Sequence, residues 1–239
     1  MTFDGVNSSA AREYAGPERS FEDAEPVALP ASFEASGQLV MNLSPQRHGT
    51  CGTLARLLAG RVRYDCVCVA EFMAPDYEEE PDEEQESFAS EEGTPEAAYL
   101  QLADYPVAGC RGCNACASTL NNQCVISDAM DDLNGLLDQC SGLTLVCPVF
   151  FAGPPSQAKA FLDRLQPHFW RNTRANPKRP CTLYVVGQGG DPHGYEPLVT
   201  IFRSALAVAG FSLDAVHPCI GVGKEDLAAF LDEEGTDHD

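Results

Sequence analysis

Four cysteines lie within fifteen residues of the chain, in the pattern Cys110-x2-Cys113-x2-Cys116-x7-Cys124. Closely spaced thiolates of this kind suit a cuboidal [4Fe–4S] cluster, because each iron takes one cysteine sulfur. Zinc more often takes two separated CxxC pairs or a mixture of cysteine and histidine, and this segment contains no histidine. The spacing therefore favours one iron–sulfur cluster, with a zinc site and four plain thiols as the alternatives.

The number of cysteines and the sequence around them also indicate the cellular compartment of the protein. The chain has 11 cysteines, and its first residues lack the basic and apolar regions of a secretory signal. Such thiols are typical of a reducing environment, so we expect a cytoplasmic protein. No apolar run reaches the roughly 18 residues that span a bilayer, so we expect no membrane partner. Five further cysteines lie in or beside apolar runs, where we expect a structural role: Cys66, Cys68, Cys147, Cys181 and Cys219.

The acidity of the chain, which has a formal net charge of −21, is confined to three segments. Residues 1–36 carry 7 acidic and 2 basic residues, residues 76–92 carry 10 acidic residues, and residues 232–239 carry 5. The remaining 14 acidic and 13 basic residues nearly balance. We expect a disordered leader over 1–36, an acidic loop insert over 76–95 and an acidic tail over 232–239. The charge argues against a nucleic-acid partner, and the insert is either a solvated loop or a docking surface for a basic partner.

Between the acidic segments, predicted strands alternate with predicted helices. The strands are Gln38–Leu43, Asp65–Phe72, Gly142–Val149, Cys181–Gly187 and Ser212–His217. The helices are Thr50–Leu58, Asp128–Cys140, Ser156–Leu165, Tyr195–Gly210 and Lys224–Leu231. Asp128 is placed to cap its helix, and Gly210 is placed to end one. This alternation predicts βαβ units and a parallel sheet with helices on both faces.

In a parallel α/β sheet, ligands bind beyond the carboxyl ends of the strands, so the loops there are the candidate sites. Ser44–Gly52 is rich in hydroxyl groups and leads into a helix, so it is either a phosphate site built on the free N–H groups of the helix or an ordinary helix cap. It lacks the GxxxxGK[ST] spacing of a P-loop. Pro148–Pro155 carries Phe150 and Phe151, which either line a flat ligand or belong to the core. Gly187–Tyr195 contains glycines that permit close approach of a ligand.

Three further motifs accompany the four cysteines, and the set resembles the flavodoxin-fold NAD(P)H-dependent FMN reductases. Within that family it is most similar to the iron–sulfur flavoproteins. Those proteins combine a compact four-cysteine motif with a CxIxDDM continuation, a PVYxG flavin loop and a KAFxDR helix. The equivalents here are Cys124–Met130 (CVISDAM), Pro148–Ala152 (PVFFA) and Lys159–Arg164 (KAFLDR).

The resemblance covers roughly residues 38–231 and implies an α/β fold of the flavodoxin-like three-layer sandwich type. Its five-stranded parallel sheet would have the order 2-1-3-4-5, with helices on both faces. The FMN-binding domain would then span residues 37–231, with the four-cysteine loop at 110–124.

The resemblance also implies cofactors and the residues that hold them. FMN would bind noncovalently at the strand ends, with a [4Fe–4S] cluster beside it. The phosphate would lie at Ser44, Gln46, Thr50, Cys51 and Gly52, although Gln46 and Thr50 replace the Arg and Asn usual in the family. The ring would lie at Pro148, Val149, Phe150, Phe151, Ala152, Gly187, Gly189 and Gly190. The cluster ligands would be Cys110, Cys113, Cys116 and Cys124, and no residue stands out as a catalytic acid or base.

The function implied is that of an oxidoreductase passing electrons between NAD(P)H or ferredoxin and an acceptor. Two alternatives remain open. One is an NAD(P)H-dependent FMN or quinone-type reductase without a cluster. The other is a non-enzymatic electron carrier that docks a partner through its acidic insert. Since relatives with this fold are commonly dimers or tetramers, we expect a homo-oligomer.

Overall fold

The computed structural model describes residues 37–61 and 98–236. The predicted leader (1–36), the predicted strand Asp65–Phe72 and the predicted insert (76–95) lie outside the described residues.

A five-stranded parallel sheet runs through the domain in the order β2-β1-β3-β4-β5. The strands are β1 (Gln38–Asn42), β2 (Ala98–Gln101), β3 (Gly142–Pro148), β4 (Arg179–Gly187) and β5 (Phe211–Ile220). The number, direction and order of the strands confirm the fold that the motifs predicted.

Six helices accompany the sheet in the described part of the chain. They are α1 (Thr50–Arg61), α2 (Met130–Gln139), α3 (Ser156–Asp163), α4 (Gln166–Trp170), α5 (Glu196–Val208) and α6 (Leu227–Thr236). Among the described helices, none is long and apolar enough to cross a membrane. The last of them, α6, extends into the segment predicted as an acidic tail.

Apolar side chains cover both faces of the sheet, because successive residues of a strand point to opposite sides. On one face, Met41 packs with Leu133 of α2 and Phe161 of α3. On the other face, Val40 packs with Leu54 of α1. The result is a three-layer sandwich whose polar loops are left at the strand ends.

The strand beside β1 differs from the one the sequence predicted at that position. It is Ala98–Gln101, which pairs Leu100 with Met41. This strand has four residues, which is too short for an apolar pattern to be recognised. Its carboxyl end nevertheless adds Gln101 to the edge where β1 ends.

The helix predicted over Ser156–Leu165 corresponds to α3, and a second short helix, α4, follows it closely. The first, α3, ends at Asp163, and Pro167 lies in the first turn of α4. Proline is tolerated in a first turn because the N–H that it lacks would have no intrahelical partner there. One ion pair lies within α3, where Lys159 Nζ is 2.7 Å from Asp163 Oδ1, four residues further along the helix.

The short helix α4 buries His168 against α2. Its Nε2 lies 3.0 Å from Asn134 Oδ1, whereas its Nδ1 has no hydrogen-bond partner among the described residues. Burial lowers the pKa of His168 to about 4, and Arg171 and Arg179 act in the same direction against the opposing charge of Asp138. His168 is therefore neutral in the folded protein at neutral pH.

The lowered pKa of His168 predicts a loss of stability in acid. Between pH 6.5, the ordinary pKa, and about pH 4, the unfolded chain binds a proton that the folded chain does not. The free energy of unfolding should fall as the pH falls through this window, by about 3 kcal/mol at most. His168→Gln should flatten this dependence. Urea unfolding at pH 7.0 and pH 5.0 measures it, and an equal dependence in both proteins would contradict the prediction.

Candidate functional site

The loop after β1 is held in place by two buried amides from the ends of β1 and β2. Asn42 Oδ1 accepts the N–H of Ser44 at 3.0 Å, and Asn42 Nδ2 lies 3.4 Å from the carbonyl oxygen of Gln46. Gln101 Nε2 donates to the carbonyl oxygen of Ser44 at 2.7 Å. The two amides also bond each other at 2.5 Å. Sequence reasoning missed both residues.

This loop packs directly against the start of α1. A Cβ atom on Gly52 would lie 1.8 Å from the carbonyl oxygen of Arg47, so only glycine fits the observed arrangement. Thr53 is the first residue of α1 whose N–H donates a hydrogen bond to the carbonyl oxygen four residues earlier, that of Gly49 at 3.0 Å. The N–H groups of residues 50–52 consequently lack intrahelical partners and remain donors for an anion.

The predicted phosphate residues contribute in different ways. Ser44 is buried, and its hydroxyl accepts the N–H of Gln46 at 3.1 Å. Gln46 is exposed and Thr50 is half-buried. Burial raises the pKa of the Cys51 thiol to about 12, so this residue stays a neutral thiol and offers only its main chain.

The arginine within this loop is already paired. Arg47 forms an ion pair with Asp104, in which Nη1 donates to Oδ2 at 2.6 Å. Burial raises the pKa of Asp104, and the charge of Arg47 opposes this shift. Asp104 lies just beyond β2, and no sequence pattern singled it out.

The loop after β3 makes a tight turn of unusual composition. Phe150 and Gly153 exchange main-chain hydrogen bonds of 2.8 and 3.0 Å. The two residues between them, Phe151 and Ala152, have φ values of 51° and 60°. A turn with two positive φ values normally uses Asn and Gly, because other side chains are strained there. The Phe151 side chain is fully exposed, so packing within the described chain does not compensate for this strain.

The loop after β4 begins at a closely packed glycine and continues with two glycines in the left-handed backbone conformation. A Cβ on Gly187 would lie 3.1 Å from Ile220 Cδ1 and 3.6 Å from Val149 Cγ2. Gly189 and Gly190 have φ values of 81° and 88°, which side chains rarely tolerate. These glycines let the chain turn closely at the end of β4.

Parallel registration brings the three loops to one edge of the sheet. Asn42 of β1 pairs with Val146 of β3, and Pro148 of β3 pairs with Val186 of β4. The predicted phosphate residues and the two predicted ring loops thus follow neighbouring strands at their carboxyl ends. This is the edge at which α/β sheets bind ligands.

The four-cysteine segment lies between the carboxyl end of β2 and the start of α2. Its four cysteines line one cavity of about 170 Å³, together with Arg164 and Pro167. Cys110 and Cys113 are exposed, whereas Cys116 and Cys124 are half-buried. The structure therefore brings the four predicted ligands to one place.

The four thiols are close enough to influence one another. Burial raises the pKa of Cys116, and the neighbouring thiols of Cys124, Cys110 and Cys113 raise it further. The nine cysteines that the structure describes are all free thiols. In the described ranges, no three His, Cys, Asp or Glu side chains converge on a point that would hold a single metal ion.

A buried ion pair closes the four-cysteine segment. The Arg164 side chain is 1 % exposed, and its two terminal nitrogens donate to Asp128 at 2.8 and 3.0 Å. The same nitrogens donate to the carbonyl oxygens of Ala108 and Ile126, each at 3.0 Å. The helix that was predicted to begin at Asp128 begins at Met130, with Ala129 at its N-cap position, and Asp128 Oδ1 accepts the N–H of Met130 at 3.0 Å.

The strained turn generates a prediction about stability. Phe151→Asn should raise the free energy of unfolding by about 1 kcal/mol, because Asn adopts positive φ more readily and the exposed ring loses no packing. Phe150→Asn is the matched control and should not stabilise, since Phe150 is outside the set of positive-φ residues. Denaturant titration of both variants measures the difference, and equal effects would contradict the assignment of strain.

Curated relatives match about a third of the chain at moderate identity. An iron–sulfur flavoprotein of Methanocaldococcus jannaschii is 35% identical over 78 residues, which cover 33% of this chain and 39% of that protein. An iron–sulfur flavoprotein of Archaeoglobus fulgidus is 30% identical over 78 residues, covering 33% of this chain and 34% of that protein. The matches thus span well under half the length of these relatives.

A solved structure also aligns with most of the chain. It is that of a Trp repressor binding protein from Bacillus subtilis, with a TM-score of 0.42 and 15% identity. The alignment covers 81% of this chain and 94% of that one.

The family assignment comes from a longer match. Residues 39–211, well over half of the chain, match the family model described as NADPH-dependent FMN reductase. As its motifs predicted, the chain belongs to the NADPH-dependent FMN reductase family of flavin-dependent oxidoreductases.

Proposed function

We propose that this protein is an FMN-dependent oxidoreductase that also carries a [4Fe–4S] cluster. It would pass electrons between NAD(P)H or ferredoxin and an acceptor. The observation that carries the proposal is the set of four thiols lining one cavity in a member of an FMN reductase family. The printed names of the curated relatives, iron–sulfur flavoproteins, support the same combination.

The loop after β1 fits the phosphate of FMN. The carbonyl oxygen of Arg47 occupies the position beside Gly52 where a Cβ atom would lie, so the loop packs closely against the start of α1. The first N–H groups of α1 have no intrahelical partner there. Main-chain donors of residues 50–52, with the side chains of Gln46 and Thr50, would hold the phosphate. Ser44 would fix the shape of the loop, because its hydroxyl already accepts the N–H of Gln46.

The loops after β3 and β4 would hold the flavin ring. Main-chain groups of residues 148–152 and of Gly187, Gly189 and Gly190 would border it, since glycines and a tight turn expose the backbone. The strain stored in the turn at Phe151 supports a binding role, because such strain is concentrated at functional sites.

The four thiols fit a cubane cluster better than a single ion. In a cubane, each sulfur binds a different iron, so the ligands stand further apart than those around one ion. The thiols here share a cavity without converging on one point, within the part of the chain that the structure describes. Cys110, Cys113, Cys116 and Cys124 would be the ligands.

When bound, FMN would exchange electrons singly or in pairs, and the cluster would exchange them one at a time. The chain would bind and orient both groups, and none of its side chains need act as an acid or base.

Exposed apolar residues beside the cysteines support a homo-oligomer. Leu120 of the four-cysteine loop is 83% exposed, and Phe169 and Trp170 of α4 are 52% and 42% exposed. Exposed apolar groups of this size are typical of interaction surfaces. We infer a dimer or tetramer in the cytoplasm, where thiols stay reduced.

A second candidate is an NAD(P)H-dependent FMN or quinone-type reductase without a cluster. The observation that favours it is the family match over residues 39–211, whose description is of an NADPH-dependent FMN reductase and names no cluster. In that case the thiols would have no part in electron transfer.

FMN binding should depend on the packing of Gly52. Gly52→Ala should weaken FMN binding at least tenfold, because the methyl group displaces the loop at the Arg47 carbonyl. Gly60→Ala in the same helix is the matched control, since nothing lies within 4 Å of its Cβ position. The control should stabilise the helix by about 0.5–1 kcal/mol and bind FMN normally.

Fluorescence quenching of FMN on addition of each apoprotein measures the affinities. Equal affinities in the two alanine variants would contradict the assignment of the phosphate loop.

Cluster content separates the two candidate functions. Protein purified without oxygen should contain about four irons and four sulfides per chain, together with FMN. Cys113→Ser should lose the iron and keep the FMN, because the cysteine loop and the phosphate loop are separate. Cys181→Ala removes a buried thiol outside the cavity and should keep both. FMN without iron in the unmodified protein would establish the cluster-free reductase instead.

A further inference from the structure

Arg164 has one donor that the protein does not use. Its two terminal nitrogens are occupied by Asp128 and by two carbonyl oxygens. Its Nε is buried and has no hydrogen-bond partner among the described residues. A buried donor left unpaired costs about 1–3 kcal/mol, so it calls for a partner.

The position of Arg164 indicates what that partner is. The residue lines the same cavity as the four cysteines. It is also near enough to Cys124 for the thiolate charge to favour the guanidinium charge. A permanently positive group beside four thiolates suits an occupant with a net negative charge.

The contacts of Arg164 also span the whole four-cysteine segment. They reach the carbonyl of Ala108 before the first cysteine and that of Ile126 after the last. The Asp128 carboxylate also contacts the start of the loop, because it accepts the N–H of Ala108 at 2.9 Å. One side chain therefore fixes the distance between the two ends of the loop.

We propose that Arg164 is the positioning residue of the four-cysteine site, which closes the loop with its terminal nitrogens and offers its Nε–H and charge to the anionic thiolate-ligated group. The loop-closing role rests on contacts seen in the metal-free protein. The electrostatic role rests on the proposed cluster. The positive charge favours the reduced, more negative state of that group and so raises its reduction potential.

The chain supplies a matched control in Arg171. Its Nε donates to the carbonyl oxygen of Asn121 in the same loop, at 3.2 Å, and its Nη1 donates to Asp138. Arg171 is absent from the lining of the cysteine cavity. Arg164→Gln and Arg171→Gln each remove one positive charge and hydrogen bonding to the loop, two carbonyl contacts in the first case and one in the second, but only the first acts inside the cavity.

The test uses two readouts on the full chain. Amide hydrogen exchange of residues 108–128 in the metal-free protein should become at least about tenfold faster in Arg164→Gln, because the loss of even one of its four buried charge-assisted hydrogen bonds has an effect of that size. Arg171→Gln should leave the two ends of this segment unchanged. After anaerobic reconstitution with iron and sulfide, the cluster potential should shift to more negative values in Arg164→Gln only.

A conservative variant keeps the proposal testable if Arg164→Gln does not fold. Arg164→Lys keeps the charge but cannot bridge Ala108, Ile126 and Asp128 at once. It should exchange faster at the loop while keeping a potential close to that of the unmodified protein. Equal potentials in Arg164→Gln and Arg171→Gln would overturn the electrostatic role, and unchanged exchange would overturn the positioning role.

Failure of the proposed cluster gives a different result. In that case the unmodified protein takes up no iron on reconstitution. Hydrogen exchange then decides the positioning role alone: faster exchange in Arg164→Gln but not in Arg171→Gln supports it, and equal exchange overturns it.

Discussion

The buried ion pair between Arg164 and Asp128 is the constraint on which the cysteine site depends. The segment from Ala108 to Ile126 is rich in turns and contributes little to the apolar core, so packing alone would not hold it. The guanidinium replaces that packing with four hydrogen bonds, two to the carbonyl oxygens at the ends of the segment and two to Asp128 just beyond it. Removing one partner of such a pair leaves an uncompensated charge, so loop and helix depend on each other.

The architecture could be predicted because most of its elements have recognisable local sequence patterns. Alternating apolar runs and helical spacings predicted β1, β3, β4 and β5, and the motif resemblance predicted their order. The four cysteines and the loops at the strand ends were also recognisable from spacing. The strand Ala98–Gln101 was missed because four residues are too few to show a period.

The supports of the site were harder to predict, because they join residues far apart in the chain. Gln101 reaches back 57 positions to the carbonyl of Ser44, and Arg164 reaches back 56 positions to Ala108. Gln101 belongs to none of the motifs, and the KAFLDR motif that contains Arg164 does not indicate which residues its guanidinium contacts. The strain at Phe151 was equally hidden, since a Phe-Ala pair is not typical of a turn with two positive φ values.

The loop after β1 is shaped by amides beneath it and by a glycine behind it, and its free donors belong to the peptide backbone. Backbone donors are the same whatever side chain is attached. A change of side chain at the exposed Gln46 would therefore leave these donors in place, while Asn42, Gln101 and Gly52 preserve the shape of the loop. The sequence signature of a loop with backbone donors is therefore better sought in the buried residues that support the loop than in the loop itself.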